Sequence, residues 1–119
     1  MPEKNSGLTR VYKAFFYSMN GLTAAFRHEA AFRQELIVAL VLVPLTIWLP
    51  VSHMERVIMV STVMLVLIIE LLNSGIEATV DRISEEHHEL AGRAKDMGSA
   101  AVLLSLMLWA YVWSSILFF

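Results

Sequence analysis

The stretch VIMVSTVMLVLIIELLNSGIEATV, residues 57–80, decides the fold class of this chain. Its first part is continuously apolar, which is typical of a helix inside a bilayer because about 20 apolar residues span the hydrocarbon core. Glu70, Asn73 and Glu77 interrupt its second part. We therefore predict a transmembrane helix over 57–80 that carries polar groups in its C-terminal half.

Two further apolar segments flank this helix. Residues 97–119 form a run of 23 residues without a charge, which is long enough for a second span. Residues 36–49 hold only 14 uncharged residues, including Pro44, and a re-entrant segment fits that length equally well. This segment becomes a span if the helix starts near Ala31 and its first charges reach the interface. We predict three transmembrane helices, over 31–49, 57–80 and 97–119.

The composition indicates that lipid is the solvent of this chain. Hydrophobic residues make up 57% of the 119 residues and charged residues 17%, whereas soluble domains have about 45–50% and 25%. A formal net charge of -2 argues against a nucleic-acid binder, and the absence of cysteine excludes disulfides and thiolate chemistry. We predict one all-α membrane-integrated domain over 1–119.

Residues 7–28 have the pattern of an amphipathic surface helix. One face is apolar at spacings of three and four, with Leu8, Val11, Phe15, Met19, Leu22 and Phe26. Another face carries Arg10, Lys13, Tyr17, Asn20 and Arg27. Such a helix lies along the membrane surface, and it can be a simple anchor without chemistry.

The distribution of lysine and arginine predicts the orientation of the chain. These residues are frequent before the first span and in the 81–96 loop, whereas the link between the first two spans holds only Arg56. By the positive-inside rule, we expect a cytoplasmic N-terminus and a C-terminus on the opposite side of the membrane.

The polar residues of the middle span form a single stripe. At about 100° per residue, Glu70, Asn73, Glu77 and Asp81 fall within roughly 80° of arc. A carboxylate at bilayer depth costs about 2.5–3.5 kcal/mol, so the stripe needs a polar or ligand-lined counterpart. A polar contact between helices is the simplest alternative to a functional site.

Depth separates the members of this stripe. Counted from Val57 at about 1.5 Å per residue, Glu70 lies about 20 Å into the membrane and Glu77 about 30 Å, at the cytoplasmic edge. A site that spans these depths can meet a lipid headgroup from one side and a water-soluble molecule from the other. An ion path would need polar groups across the whole bilayer, and the outer half of this helix and the third span have almost none.

The segments that flank the spans add further candidates. Lys95 and Asp96 stand at the start of the third span, where a lysine can hold phosphate or serve as an ordinary cytoplasmic anchor. The small residues 98–101 favour close helix packing. Glu29, which follows the surface helix, could share a metal ion with Glu77, since two carboxylates suffice for Mg²⁺. The chain has no P-loop and no protein-kinase motif, so any kinase here must use a membrane-specific solution.

Three strings carry a family resemblance: EAAFRQE at 29–35, ELLNSGIEATVDR at 70–82 and HELAGRAKDMGSAAV at 88–102. In this order and spacing, they resemble the small prokaryotic integral-membrane diacylglycerol kinases, from about Ser6 to Val102. The resemblance implies a homotrimer in the bacterial inner membrane with active sites shared between subunits. It also implies transfer of the ATP γ-phosphate, with Mg²⁺, to the hydroxyl of 1,2-diacylglycerol, which gives phosphatidic acid and ADP.

The same resemblance implies roles for individual residues. Glu70 would be the general base on the lipid hydroxyl, and Asn73 would orient groups in the site. Glu29 and Glu77 would hold Mg²⁺ and, through it, ATP. The nucleotide would also contact Arg10, Tyr17, Glu86, His87, His88, Lys95 and Asp96. The lipid side would be lined by Arg10, Ala31, Phe32, Arg33, Gln34, Glu35, Glu70 and Ser99.

Three alternatives remain open. A polyprenol kinase of the same architecture would phosphorylate undecaprenol, although the strings AAFRQE and HELAGRAKDMGS favour diacylglycerol. A small transporter or proton relay would use the stripe as an ion path, and the confinement of polar groups to one leaflet counts against it. A non-catalytic assembly partner would not need a glutamate at lipid depth beside a lysine at the interface.

Overall fold

Four α-helices and no strand make up the described part of the chain, residues 6–83 and 88–119 of a computed structural model. In chain order they are α1 (Gly7–His28), α2 (Ala30–Leu45), α3 (His53–Ile83) and α4 (Glu89–Phe118). The predicted sites Glu86 and His87 lie outside the described residues.

Helices α3 and α4 form the most extensive helix pair of the chain. They have 31 and 30 residues, which corresponds to roughly 46 and 45 Å at about 1.5 Å per residue. In the described residues, these two helices are long and apolar enough to cross a membrane. Because both exceed the hydrocarbon thickness of about 30 Å, their polar ends extend beyond it.

Helix α2 is shorter than the segment that we predicted as the first span. It has 16 residues and a length of roughly 24 Å, and it ends at Leu45 rather than Leu49. Pro44 lies in its last turn. Beyond it, Ile47 N donates to Pro44 O over 3.1 Å and Trp48 N to Leu45 O over 3.1 Å. These three-residue steps tighten the chain into a turn after the helix.

The hydrophobic core lies where α2 and α4 pack on the N-terminal half of α3. Met59 is completely buried, and Val63 and Leu67 follow on the same face of α3. Phe32 contributes from α2 and Trp113 from α4. The Trp113 Nε1 donates to Met59 O and to Thr62 Oγ1, both over 3.1 Å, which satisfies its buried N–H.

The turn between α2 and α3 is fixed by local hydrogen bonds. Ser52 and Glu55 form a reciprocal capping box, in which Glu55 N donates to Ser52 Oγ over 3.1 Å and Ser52 N to Glu55 Oε1 over 2.8 Å. Arg56 Nε donates to Thr46 O over 2.8 Å. The start of α3 is therefore tied to the end of α2.

The junction between α1 and α2 is a break at Glu29. This residue is extended, with φ -117° and ψ 103°, and its N–H still bonds to Ala25 O. Arg33 Nη1 reaches back to Phe26 O over 2.7 Å, and its guanidinium lies 6.0 Å from the centre of the Phe26 ring. A cation on the last carbonyls stabilises the end of α1 and holds its angle to α2.

Large apolar side chains cover much of the outer surface. They are exposed along the apolar face of α1, on α2 and on α4, as Leu8, Val11, Phe15, Leu40, Val41, Leu104 and Tyr111 illustrate. A soluble monomer does not expose apolar surface on this scale. The structure agrees with the prediction of an all-α membrane protein.

Candidate active site

The predicted polar stripe is continuous along the C-terminal half of α3. Glu70 is buried, with only 5% of its surface exposed, Asn73 and Glu77 are half-buried, and Asp81 is exposed. Because α3 is a single helix from His53 to Ile83, the stripe leads from the protein interior to the solvated end without a break. Exposure therefore increases along the stripe from Glu70 to Asp81.

Acidic side chains from three places lie within electrostatic reach of Glu70. Charges on Glu77 and Glu29 act on its carboxylate, and its own charge acts on Glu35 of α2. Glu29 comes from the break between α1 and α2, and Glu77 lies two turns along α3. Within residues 6–83 and 88–119, none of these carboxylates forms a salt bridge. The region therefore favours a cation or a proton.

Three buried polar atoms of this region lack a hydrogen-bond partner among the described residues: Glu35 Oε1, Glu70 Oε2 and Asn73 Oδ1. Buried polar atoms in folded proteins are rarely left unpaired, because each costs about 1–3 kcal/mol of desolvation. Their clustering between α2, α3 and α4 indicates that the site is completed by a ligand or by solvent.

Asn73 lies between the buried Glu70 and the more exposed end of the stripe. Its Nδ2 donates to Glu77 Oε1 over 2.9 Å, one helical turn away on the same face of α3. When an amide donates to a carboxylate, it fixes the orientation of the carboxylate and leaves the second carboxylate oxygen for another partner. Asn73 thus acts on Glu77 rather than on Glu70.

Lys95 brings a positive charge to the solvated end of the stripe. Its Nζ lies 2.5 Å from Asp81 Oδ1, and the two side chains are 42% and 63% exposed. The Lys95 charge also acts on Glu77. The antiparallel packing of α3 and α4 is what brings these groups together, and sequence separation alone did not predict the Asp81–Lys95 pair.

An apolar groove lies beside the buried end of the stripe. It has a volume of about 340 Å³ and runs between α2, α3 and α4. Its lining residues are Gln34, Glu35, Val38, Ala39, Leu42, Val63, Val66, Leu67, Leu106 and Trp109. The polar side chains Gln34 and Glu35 stand at one end, so the groove offers an apolar channel with an acidic mouth. Only these two of its lining residues were predicted from the sequence.

The other predicted site residues are distributed over all four helices. Arg10 and Tyr17 are exposed on α1, and Asp96 and Ser99 are exposed on α4. His88 is the N-cap of α4, where its Nδ1 accepts a hydrogen bond from Leu90 N over 3.0 Å.

The 31–35 segment predicted for the lipid side has mixed environments. Ala31 and Gln34 are exposed, whereas Phe32 is a core residue with 1% exposure. Arg33 is engaged with the last carbonyls of α1. Glu35 is the member of this segment that faces both the groove and Glu70.

The donor set near Glu70 fits a hard divalent cation. The described residues contain no group of three or more His, Cys, Asp or Glu side chains placed to hold a metal. Mg²⁺ does not need one, since one or two carboxylates together with phosphate oxygens and water complete its shell. Glu29 and Glu77 supply carboxylate oxygen atoms of this kind.

Comparison with known proteins shows similarity over nearly the whole chain. The model of the prokaryotic diacylglycerol kinase family matches residues 16–117. A diacylglycerol kinase of Escherichia coli K12 is 52% identical over 117 residues, which cover 98% of this chain and 96% of the relative. A diacylglycerol kinase of Haemophilus influenzae is 49% identical over 98% of both chains. One of Pseudomonas aeruginosa is 51% identical over 94% of this chain and 91% of the relative.

Proposed function

The chain belongs to the prokaryotic diacylglycerol kinase family, and from this premise we propose that the polar stripe of α3 is its active site. The protein is a lipid kinase that transfers the γ-phosphate of ATP to the hydroxyl of 1,2-diacylglycerol, giving phosphatidic acid and ADP. The predictions of family, enzyme class and reaction from the sequence are confirmed.

Glu70 is the general base of the proposed mechanism. Its carboxylate takes the proton of the lipid hydroxyl while the hydroxyl oxygen forms a bond to the γ-phosphorus. The bond between that phosphorus and the bridging oxygen breaks, and ADP leaves with the electron pair. The single observation that carries this role is the burial of Glu70 with Oε2 unpartnered in the described residues.

The shallower part of the stripe binds the nucleotide. Glu77, oriented by Asn73, and Glu29 would hold Mg²⁺, which when bound neutralises charge on the phosphate oxygens. Lys95 exchanges its contact with Asp81 for a phosphate oxygen of ATP, as a point charge. Phosphoryl transfer needs mainly such positioning and charge neutralisation, so no covalent intermediate is required. Arg10, Tyr17, His88 and Asp96 are further candidates for nucleotide contact.

The groove beside Glu35 accommodates the lipid. Its apolar lining suits an acyl chain, and its acidic mouth lies on the Glu70 side, where the diacylglycerol hydroxyl must be presented. Of the other residues predicted for the lipid, Ala31, Gln34 and Ser99 have surfaces that lipid can reach. Phe32 and Arg33 support the site from the core and from the end of α1.

We further propose that α2 is a third transmembrane helix and that the enzyme is a homotrimer in the inner membrane. The turn after Leu45 extends the reach of α2 toward the thickness of the bilayer, and the exposed apolar side chains of α2 and α4 supply surface for lipid or for another subunit. The positive-inside pattern supports a cytoplasmic N-terminus and a periplasmic C-terminus. Glu29 and Glu77 would then face cytosolic MgATP.

A direct assay tests the substrate. The purified protein in mixed micelles is given γ-labelled ATP, Mg²⁺ and either 1,2-diacylglycerol or undecaprenol. We expect label in phosphatidic acid at a rate well above that in the polyprenol product. Label only in undecaprenyl phosphate would assign the site to polyprenol, and no label in either lipid would contradict a kinase role.

A further inference from the structure

Gly98 of α4 is buried directly against the side chain of Asn73. A Cβ placed on Gly98 would collide with Asn73 Oδ1 and would lie 3.3 Å from Asn73 Cγ and 3.8 Å from Ile76 Cδ1. At Gly7, Gly21 and Gly75, in contrast, a Cβ would meet no atom within 4 Å. Of these four described glycines, Gly98 is the only one at which an added methyl group would clash with another side chain.

The neighbour of Gly98 is the group that orients Glu77. The Asn73 amide uses Nδ2 to hold Glu77 Oε1 at 2.9 Å, while its Oδ1 is turned toward Gly98 and has no partner in the described residues. The amide therefore fills the space that the missing side chain of Gly98 leaves. A methyl group at position 98 would push the amide away, because the far end of a side chain moves more easily than a helix backbone.

We infer that Gly98 is a positioning residue of the active site, whose lack of a side chain seats the Asn73 amide in hydrogen-bonding contact with Glu77. Gly98 affects catalysis indirectly: it sets the position of the Asn73 amide, and this amide orients the Glu77 carboxylate. This inference deepens the proposed function and rests on it, since Glu77 is proposed there as a ligand of Mg²⁺.

Helix packing is the competing explanation for a small residue at this position. If Gly98 served only the approach of α3 and α4, Gly98→Ala would reduce stability and affect both substrates equally. If it seats Asn73, the variant keeps its fold, since alanine favours a helix over glycine by about 1 kcal/mol. The loss then falls on MgATP, and it depends on the presence of the Asn73 side chain.

The test compares Gly98→Ala with Gly75→Ala, a matched change on α3 where the added carbon has open space. For each full-length variant in detergent, we would measure thermal unfolding, kcat and the KM values for MgATP and diacylglycerol. We would also record the side-chain amide resonance of Asn73 by NMR, identified by its absence in Asn73→Ala. We expect Gly98→Ala to lower kcat/KM for MgATP by about 10–100-fold, as loss of a partner that orients a metal ligand typically does.

The KM for diacylglycerol and the unfolding midpoint should stay close to the wild-type values, and the Asn73 amide resonance should shift. Gly75→Ala should leave kcat, both KM values and the Asn73 resonance unchanged, and its unfolding midpoint should not fall, because alanine favours a helix. In the Asn73→Ala background, where the colliding atoms are absent, Gly98→Ala should alter kcat/KM by less than about twofold.

Three outcomes would overturn the inference: an unshifted Asn73 resonance in Gly98→Ala, an equally large effect of Gly98→Ala in the Asn73→Ala background, or a Gly98→Ala protein that fails to fold in both backgrounds. Recovery of the fold only in the double variant would support the predicted collision. The NMR shift needs no turnover. If the wild-type protein lacked kinase activity, the proposed function would be contradicted. The NMR comparison would still show whether Gly98 positions the Asn73 amide.

Discussion

The Lys95 ammonium lies 2.5 Å from the Asp81 carboxylate and joins the solvated ends of α3 and α4. Both side chains are partly exposed, and exposed pairs of this kind contribute only about 0–1 kcal/mol to stability. The pair therefore contributes little to the fold, and Lys95 can give it up for a stronger anion at small cost. Lys95 lies beside the stripe, within electrostatic reach of Glu77.

Lys95→Met should impair nucleotide use without unfolding the protein. The ammonium is the phosphate contact of the proposed site, and hydrogen bonds to charged groups contribute about 1.5–3 kcal/mol. We expect kcat/KM for MgATP to fall at least about tenfold, with the KM for diacylglycerol nearly unchanged. Steady-state kinetics against each substrate in turn measure the difference. An equal rise of both KM values would remove Lys95 from the nucleotide site.

Asp81→Asn should have the opposite and smaller effect. Breaking the exposed pair costs little, and removal of one negative charge reduces the repulsion of ATP. We predict a KM for MgATP that decreases by about two- to fivefold at low ionic strength, with a smaller change at high salt because exposed charges are then screened. Kinetics at two salt concentrations check this. A large increase in KM would mean that Asp81 itself is required to place Lys95.

Trp113→Phe tests the contact at the other end of the helix pair. The variant keeps an aromatic ring in the core and loses the hydrogen bonds to Met59 O and Thr62 Oγ1. We expect a loss of about 1 kcal/mol in unfolding free energy, with kcat largely retained because the stripe lies far along α3. Trp48→Phe is the control, since Trp48 is 77% exposed. Equal destabilisation by the two changes would contradict this role of the indole N–H.

Glu35→Gln should act on the lipid substrate. Glu35 stands at the mouth of the apolar groove and carries a buried oxygen without a partner in the described residues. We expect a higher KM for diacylglycerol, by about three- to tenfold, with the KM for MgATP unchanged, which corresponds to the loss of about one hydrogen bond. Kinetics with diacylglycerol varied at saturating MgATP give the comparison. A selective rise in the KM for MgATP would place Glu35 with Glu29 and Glu77 instead.

Much of the architecture followed from sequence periodicity and length. The apolar run before Glu70 predicted α3, and the spacing of Glu70, Asn73 and Glu77 placed them on one face because a helix repeats every 3.6 residues. Helix bounds were harder to predict, since α3 and α4 continue past their apolar segments as polar helix. A hydropathy pattern predicts which residues contact lipid, but it does not predict where a helix ends, because a helix can continue into water as a polar segment.

The contacts between helices could not be predicted in the same way. The Asp81–Lys95 pair, the Gly98–Asn73 contact and the groove beside Glu35 depend on the rotation of α2 and α4 about α3, which side-chain packing determines. The family strings identified most of these residues as important. They did not indicate that Asn73 acts on Glu77 or that Gly98 lies against Asn73.

The most direct test of the account is Glu70→Gln, assayed for turnover and for nucleotide binding in the same preparation. If Glu70 is the general base on the lipid hydroxyl, kcat falls by about 10²–10⁴-fold, while the Kd of MgATP stays within about threefold of the wild-type value and the KM for MgATP changes as little. Glu77→Gln is the contrasting variant, because we expect it to raise the Kd of MgATP, which Glu70→Gln should leave nearly unchanged. Retention of substantial turnover in Glu70→Gln, or a parallel loss of MgATP binding, would contradict the assignment of the buried carboxylate to the lipid alcohol.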